Sequence, residues 1–184
     1  MRRIAILTIS DAGSRGERAD TSGDAIAEWI AGRAERSGTT LAARALVPDD
    51  SVAIAAQLVR WCDDDEADLV LTTGGTGLGP RDVTPEATRV VLEREAPGIA
   101  ERIRISCMQS FPRAALSRGV AGARNRTLIV NLPGSTGGVR DALAALEPIV
   151  DHAIDILRDA PTEHSGGGIP RGGTSEHSGG GGAA

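Results

Sequence analysis

The residues best suited to chemistry gather in one stretch: Thr72-Thr73-Gly74-Gly75-Thr76-Gly77-Leu78-Gly79-Pro80-Arg81-Asp82-Val83-Thr84-Pro85. Glycines let backbone amides approach an anion closely, and threonine hydroxyls add side-chain donors. The stretch follows an apolar run at residues 69–71, where a strand end would present a phosphate site. No Gly-Lys-Ser/Thr follows, so this is not a Walker loop. Counting from Gly75, the sixth position is Pro80, so it is not the dinucleotide fingerprint either. A second junction of the same kind reads Asn131-Leu132-Pro133-Gly134-Ser135-Thr136-Gly137-Gly138. A helix starting there would offer an anion its N-terminus and hydroxyls, and Asn131 suits a contact to an amide. Ser117-Arg118 precedes Gly119, so a guanidinium could reach a phosphate there.

Two carboxylates stand beside these loops. Asp82 lies just before the Thr84-Pro85 helix start, and Asp49 follows Pro48 at another strand end. Each has a plain structural alternative as a helix cap. Together they can share Mg²⁺, which takes oxygen ligands plus substrate phosphates. Phosphoryl transfer asks little more of a protein than such positioning and charge neutralisation.

Composition narrows the field. A chain of 184 residues with 40% hydrophobic content suffices for one domain with a proper core. A net charge of -5 argues against a nucleic-acid binder or a membrane-surface binder, which would carry a basic face. All 20 basic residues are Arg, which excludes a Lys nucleophile, a Schiff base or a phosphate-loop lysine. Anion recognition by side chains must then use planar guanidinium groups. Cys62 and Cys107 lie far apart in apolar helical stretches and read as buried inert thiols rather than a disulfide or metal ligands. Trp29, Trp61 and Phe111 are too few for a base-stacking platform. The N-terminal stretch leads into a strand without a cleavage site, and no apolar run approaches ~18 residues, so a cytoplasmic location is expected.

The elements that must position the loops follow from apolar spacing. Residues 4–9, 41–47, 69–73 and 128–130 read as strands, and 10–14 as a loop. Helices are expected from Ser22-Gly23-Asp24 to Gly38, after Asp50 or Ser51, from Pro85 to about Arg94, from Pro97 to about Met108, and from about Gly138 to Arg158. In the second of these, Val52, Ala55, Ala56 and Val59 share a face. Alternation of strand and helix calls for an α/β fold, a mostly parallel sheet with helices on both faces. Ligands collect beyond the C-terminal ends of such strands. Those ends here carry Ser10-Asp11, Pro48-Asp49-Asp50, Thr73 to Gly77 and Asn131 to Ser135, one plausible site. Residues 1–160 form this domain. From 161 to 184 the chain is Gly/Ser-rich, with Glu163-His164-Ser165-Gly166 recurring as Glu176-His177-Ser178-Gly179, and is expected to be a disordered tail.

Six ordered segments resemble the MogA/MoaB family of molybdopterin-binding proteins. They are Thr8-Ile9-Ser10-Asp11, Asp20-Thr21-Ser22-Gly23, Pro48-Asp49, Thr73 to Gly77 with residues 81–88, Leu116-Ser117-Arg118-Gly119, and Asn131 to Ser135. The resemblance runs from about Ile4 to Leu157. It implies a three-layer α/β/α molybdopterin-binding fold, assembled as a homotrimer. It also implies adenylylation of the terminal phosphate of molybdopterin by ATP with Mg²⁺, and a partner protein for molybdenum insertion. By position it makes Asp49 and Asp82 the catalytic, metal-handling carboxylates. Gly74, Gly75, Thr76 and Gly77 would bind phosphate, and Ser10, Asp20, Ser117, Arg118, Asn131, Gly134 and Ser135 would line substrate or nucleotide sites. Family members often carry Pro-Lys where this chain has Thr136 and Gly137, so any contact made by that lysine must come from an arginine or be absent. Two other readings stay open: a same-fold molybdopterin binder without transferase activity, and a partner-binding module of cofactor assembly.

Overall fold

The computed structural model describes residues 1–159. The tail expected at 161–184 lies outside the described residues.

Strands β1 (Arg2–Ile9), β3 (Leu69–Thr73) and β6 (Thr127–Leu132) are almost wholly buried. Successive side chains of a strand point to opposite faces, so a strand covered on both sides needs an unbroken apolar run. In β1, Ile4 and Ile6 pack into one core, while Ala5, Leu7 and Ile9 pack into the other. β2 (Thr39–Val47) is half-buried at one edge. β5 (Ala121–Arg124) and β4 (Arg94–Glu95) complete a six-stranded sheet of order β2-β1-β3-β6-β5-β4. The first four strands pair in parallel, and β5 and β4 run antiparallel.

Helices α2 (Thr21–Ser37), α5 (Pro97–Met108) and α6 (Thr136–Leu157) cover one face of the sheet. α3 (Ser51–Asp63) and α4 (Thr84–Arg89) cover the other. This is the expected three-layer α/β/α architecture. The chain passes from β1 out to the edge at β2 and returns beyond β1 to β3. That reversal opens a crevice beyond the C-terminal ends of β1 and β3, where doubly wound sheets hold ligands.

Local chemistry explains the helix starts. Side-chain oxygens of Asp20, Asp50 and Ser135 accept the backbone N–H groups of Gly23, Ala53 and Gly138 at α2, α3 and α6. Such a cap contributes about 1 kcal/mol. Gly38, at φ 61°, closes α2 in the left-handed conformation expected of it.

Four local expectations are corrected. Residues 10–14 are not a plain loop: Ser10 caps the single turn α1 (Asp11–Ser14) through the Gly13 N–H. In α3 the buried face is Ile54, Leu58, Trp61 and Cys62, whereas Val52 is 74% exposed. The helix after Pro85 stops at Arg89, because the chain turns there to form β4. β4, β5 and the 3-10 turn Pro112–Leu116 were not anticipated, being too short or too Gly/Ala-rich for a periodic signal. Both cysteines are buried and free, as expected, and burial pushes the Cys62 thiol up to about 11.

Candidate active site

At the crevice, Gly74 and Gly75 adopt φ of 102° and 63°, which suit a residue without a Cβ. A Cβ on Gly74 would collide with the Ile9 carbonyl oxygen, and one on Gly75 with Thr84 Oγ1. The glycines are therefore required by close packing, Gly74 against β1 and Gly75 against the start of α4. A chain of buried hydrogen bonds holds the loop from below. Asn131 Nδ2 donates to Thr72 Oγ1 (2.9 Å) and Thr88 Oγ1 (3.0 Å). Thr88 Oγ1 donates to the Thr84 carbonyl (2.8 Å), and Thr84 Oγ1 to the Gly74 carbonyl (2.9 Å). Thr73 Oγ1 donates to the Pro133 carbonyl (2.7 Å), tying the two glycine loops together. Gly134 would place a Cβ 3.2 Å from Gly74 Cα, so the loops form one continuous ridge.

A cleft opens on each side of that ridge. The first, about 410 Å³, gathers Ser10, Asp20, Asp49, Gly74, Gly75, Gly134 and Ser135, seven of the residues singled out from sequence. Burial alone would raise the Asp20 carboxyl. Donation from Arg44 (2.7 Å), the Gly23 N–H (2.8 Å) and Thr8 (2.8 Å) reverses this and holds it below the usual carboxylate range. Asp20 is thus a fixed anion that caps α2 and forms a wall of the cleft. The second cleft, about 480 Å³, runs from Thr76, Gly77 and Ser135 down to apolar Ile103, Cys107, Phe111 and Leu116. Arg104, Arg113, Ser117 and Gly137 line it too. The cation missing at Gly137 is therefore available from two arginines in the same cleft.

Two of the residues expected at the site have their side chains engaged within the protein. Asn131 is 4% exposed, and its Oδ1 also accepts the Val120 N–H (3.1 Å), so its side chain is spent inside the protein. Arg118 clamps the loop from outside: Nε donates to the Gly77 carbonyl (2.6 Å), Nη2 to the Asp82 carbonyl (2.6 Å), and Nη1 pairs with Glu86. It lines a separate shallow groove with Arg89 and Arg104, to which Ser117 also contributes.

Neither carboxylate is the helix cap its sequence position allowed. Asp50 caps α3, and Val83 stands at the N-cap of α4 without a side-chain bond. Asp49 Oδ2 accepts the Asp11 N–H (2.8 Å), and Oδ1 sits 3.1 Å from where a Gly75 Cβ would be. Asp82 Oδ2 accepts the Gly79 N–H (2.8 Å) beneath the turn at 77–79, and Asp82 lines neither cleft. The two are linked through Asp11, whose carboxylate accepts the Asp49 N–H (3.0 Å) and a two-pronged Arg81. Arg81, then the Asp49 N–H, hold the Asp11 carboxyl below its ordinary range. Among the described residues no three His, Cys, Asp or Glu gather as a metal cage. A Mg²⁺ site here would need substrate oxygens, as Mg²⁺ sites commonly do. Each carboxylate keeps one oxygen free of protein hydrogen bonds among the described residues, so the donor chemistry fits.

Sequence reading placed Asp11 at a strand end of the site but gave it no individual role, and it assigned none to Arg81, Thr84 or Thr88, although each lies in a quoted motif. Arg44 was also missed; a lone arginine in an apolar strand was its signal.

A three-layer fold with two clefts meeting at a glycine-loop ridge beyond the strand ends defines a doubly wound α/β protein with a ligand-sized site at its switch point. Comparison with known proteins gives the family. The family described as "Probable molybdopterin binding domain" matches residues 5–152. The MoaB molybdopterin biosynthesis enzyme of Thermus thermophilus superposes with a TM-score of 0.81 at 52% identity, over 88% of this chain and 99% of that one. The molybdopterin adenylyltransferase of Helicobacter pylori J99 is 39% identical over 84% of this chain and 86% of its own length. The molybdenum cofactor synthesis protein cinnamon of Drosophila melanogaster is 40% identical over 85% of this chain, which spans only 26% of that longer protein. The chain belongs to the molybdopterin-binding family that includes MogA and MoaB. No helix among the described residues is long and apolar enough to cross a membrane.

Proposed function

We propose that this protein is a molybdopterin adenylyltransferase of molybdenum-cofactor biosynthesis, using ATP and Mg²⁺. The observation that carries the reading is the pair of clefts on either side of one ridge. They share Ser135, and each contains part of the 74–77 loop. Volumes near 410 and 480 Å³ lie in the range of small-ligand sites. Two ligands seated in them would meet at the ridge, as a bisubstrate transfer requires. The transferase names of relatives such as the Helicobacter pylori protein support the same reading.

In the reaction, an oxygen of the molybdopterin phosphate attacks the α-phosphorus of ATP. A new phosphoanhydride bond forms, the bond to the β-phosphate oxygen breaks, and pyrophosphate leaves with that electron pair. Amides of the 74–77 loop and of the α6 N-terminus bind phosphate oxygens without a charged side chain. Arg104 and Arg113 supply positive charge in the apolar cleft. Asp20 keeps its charge, paired with Arg44, and walls the polar cleft. Asp49 and Asp82 would hold Mg²⁺ together with substrate oxygens, and the ion would supply charge neutralisation for the transferring phosphates. Assembly as a homotrimer, as the family resemblance implies, belongs to the same proposal and is read by light scattering.

Incubation with molybdopterin, ATP and Mg²⁺, followed by mass analysis, tests this reading. Adenylyl-molybdopterin and pyrophosphate in equal amounts are expected. Tight molybdopterin binding without product would instead identify a non-catalytic binder.

A further inference from the structure

Asp11 and Arg81 line neither cleft, yet they carry a dense set of bonds between the site's loops. Arg81 Nε donates to Asp11 Oδ2 (3.1 Å), and Nη2 to Oδ1 (3.0 Å) and Oδ2 (2.8 Å). Asp11 and Asp49 exchange a reciprocal pair, each carboxylate accepting the other's backbone N–H. Arg81 itself lies between Pro80 and Asp82, in the turn that Asp82 closes through the Gly79 N–H. Three segments of the site, at 10–11, 48–49 and 79–82, are thereby joined through one carboxylate.

Stability does not account for this arrangement. The Arg81 side chain is 66% exposed and that of Asp11 32%, and exposed ion pairs contribute little to folding. Its consequence is geometric. The bond from the Asp11 N–H occupies Oδ2 of Asp49 and leaves Oδ1 facing the Gly75 backbone. The arginine fork restrains Asp11 relative to the loop that carries Asp82. A planar guanidinium on both oxygens of a carboxylate sets orientation as well as distance, which a lysine would not.

We propose that Asp11 and Arg81 are positioning residues, a brace that fixes the free oxygen of Asp49 relative to Asp82 and the glycine loop. The inference rests on the reading of Asp49 and Asp82 as the carboxylates that handle Mg²⁺. Neither brace residue touches substrate. Breaking the brace leaves both Mg²⁺-facing carboxylates in place but lets them drift, so ion affinity and turnover suffer while the fold survives.

The test uses Asp11→Asn, Arg81→Gln, the double variant and Arg81→Lys, with two independent measurements. Amide hydrogen exchange of residues 77–84 is read on the ligand-free protein. An exposed pair of this kind converts to about a two- to fivefold rise in exchange when either partner is lost. The Mg²⁺ concentration giving half-maximal adenylylation is read in parallel; it rises in both single variants, and kcat falls about tenfold or more. The double variant is no worse than the worse single one, since one brace can be broken only once. Arg81→Lys fails to restore either measurement. Unchanged exchange and Mg²⁺ dependence in the single variants, additive losses in the double one, or full rescue by lysine would each overturn the brace. Exchange is measured without substrate, so an inactive wild-type chain would sink the adenylylation reading while the brace still stood or fell by its own result.

Discussion

Asp82 has one oxygen bonded to the Gly79 N–H and one left free, so its structural and chemical roles can be separated. In Asp82→Asn the amide oxygen still accepts from Gly79, but the charge is gone. Adenylylation is expected to fall about a hundredfold or more with the melting temperature unchanged. Asp82→Ala loses the acceptor as well and should also cost about 0.5–1.5 kcal/mol of stability. Near-normal product formation by both variants in the mass assay would reduce Asp82 to a turn-closing residue. Asp20 gives a prediction in pH. Its carboxyl titrates below its ordinary value in the folded protein, against burial, because Arg44, Gly23 and Thr8 favour its charged form. The stability this contributes is fully present above the unfolded value and is lost as pH falls through the folded one. Melting temperatures recorded downward from about pH 5 should therefore fall more gently in Asp20→Asn than in the parent. Parallel curves would show that Asp20 adds no acid sensitivity.

At the scale of elements, the 74–77 loop is only as rigid as the threonine and asparagine chain beneath it. Thr84→Val keeps the shape of the side chain but leaves the buried Gly74 carbonyl without its donor. A loss of about 1–3 kcal/mol is expected from chemical denaturation, together with a raised KM for ATP. An unchanged KM in a destabilised protein would show that the chain supports the fold and not the loop. The strands on which this loop depends were legible because they follow local rules. β3 was placed at its observed bounds from five consecutive apolar and β-branched residues, and α5 from its proline and helical spacing. The α3 face was misread because Val52 and Ala56 share a spacing as regular as that of Ile54, Leu58 and Trp61. Only the sheet beneath selects which stripe is buried.

For the whole molecule, the division of labour between amides and carboxylates can be measured directly. In the proposed reaction several phosphates would meet in a site that has no lysine and whose nearest groups include carboxylates. If backbone amides hold the ligands and Mg²⁺ handles only the transfer, a chelator should abolish adenylylation while molybdopterin still binds. Calorimetry with and without chelator distinguishes the cases. Loss of binding together with the metal would mean that the amide ridge does not hold the substrate unaided.

The amino-acid order by itself determined the layered α/β class, the parallel core strands, the Asp50 cap and the two glycine loops. Each is encoded within about a dozen neighbouring residues by spacing, Cβ absence or a single capping oxygen. Tertiary structure alone decided which of the marked residues line a cleft and which are buried. Asn131 and Asp49 look equally suited to a site in sequence. Yet Asn131 is turned inward because β6 is covered on both faces, while Asp49 stands at a strand end beside the crevice. The brace from Asp11 to Arg81 spans 70 positions. It could not be read from spacing, because it exists only once β1 and β3 lie side by side and their C-terminal loops meet.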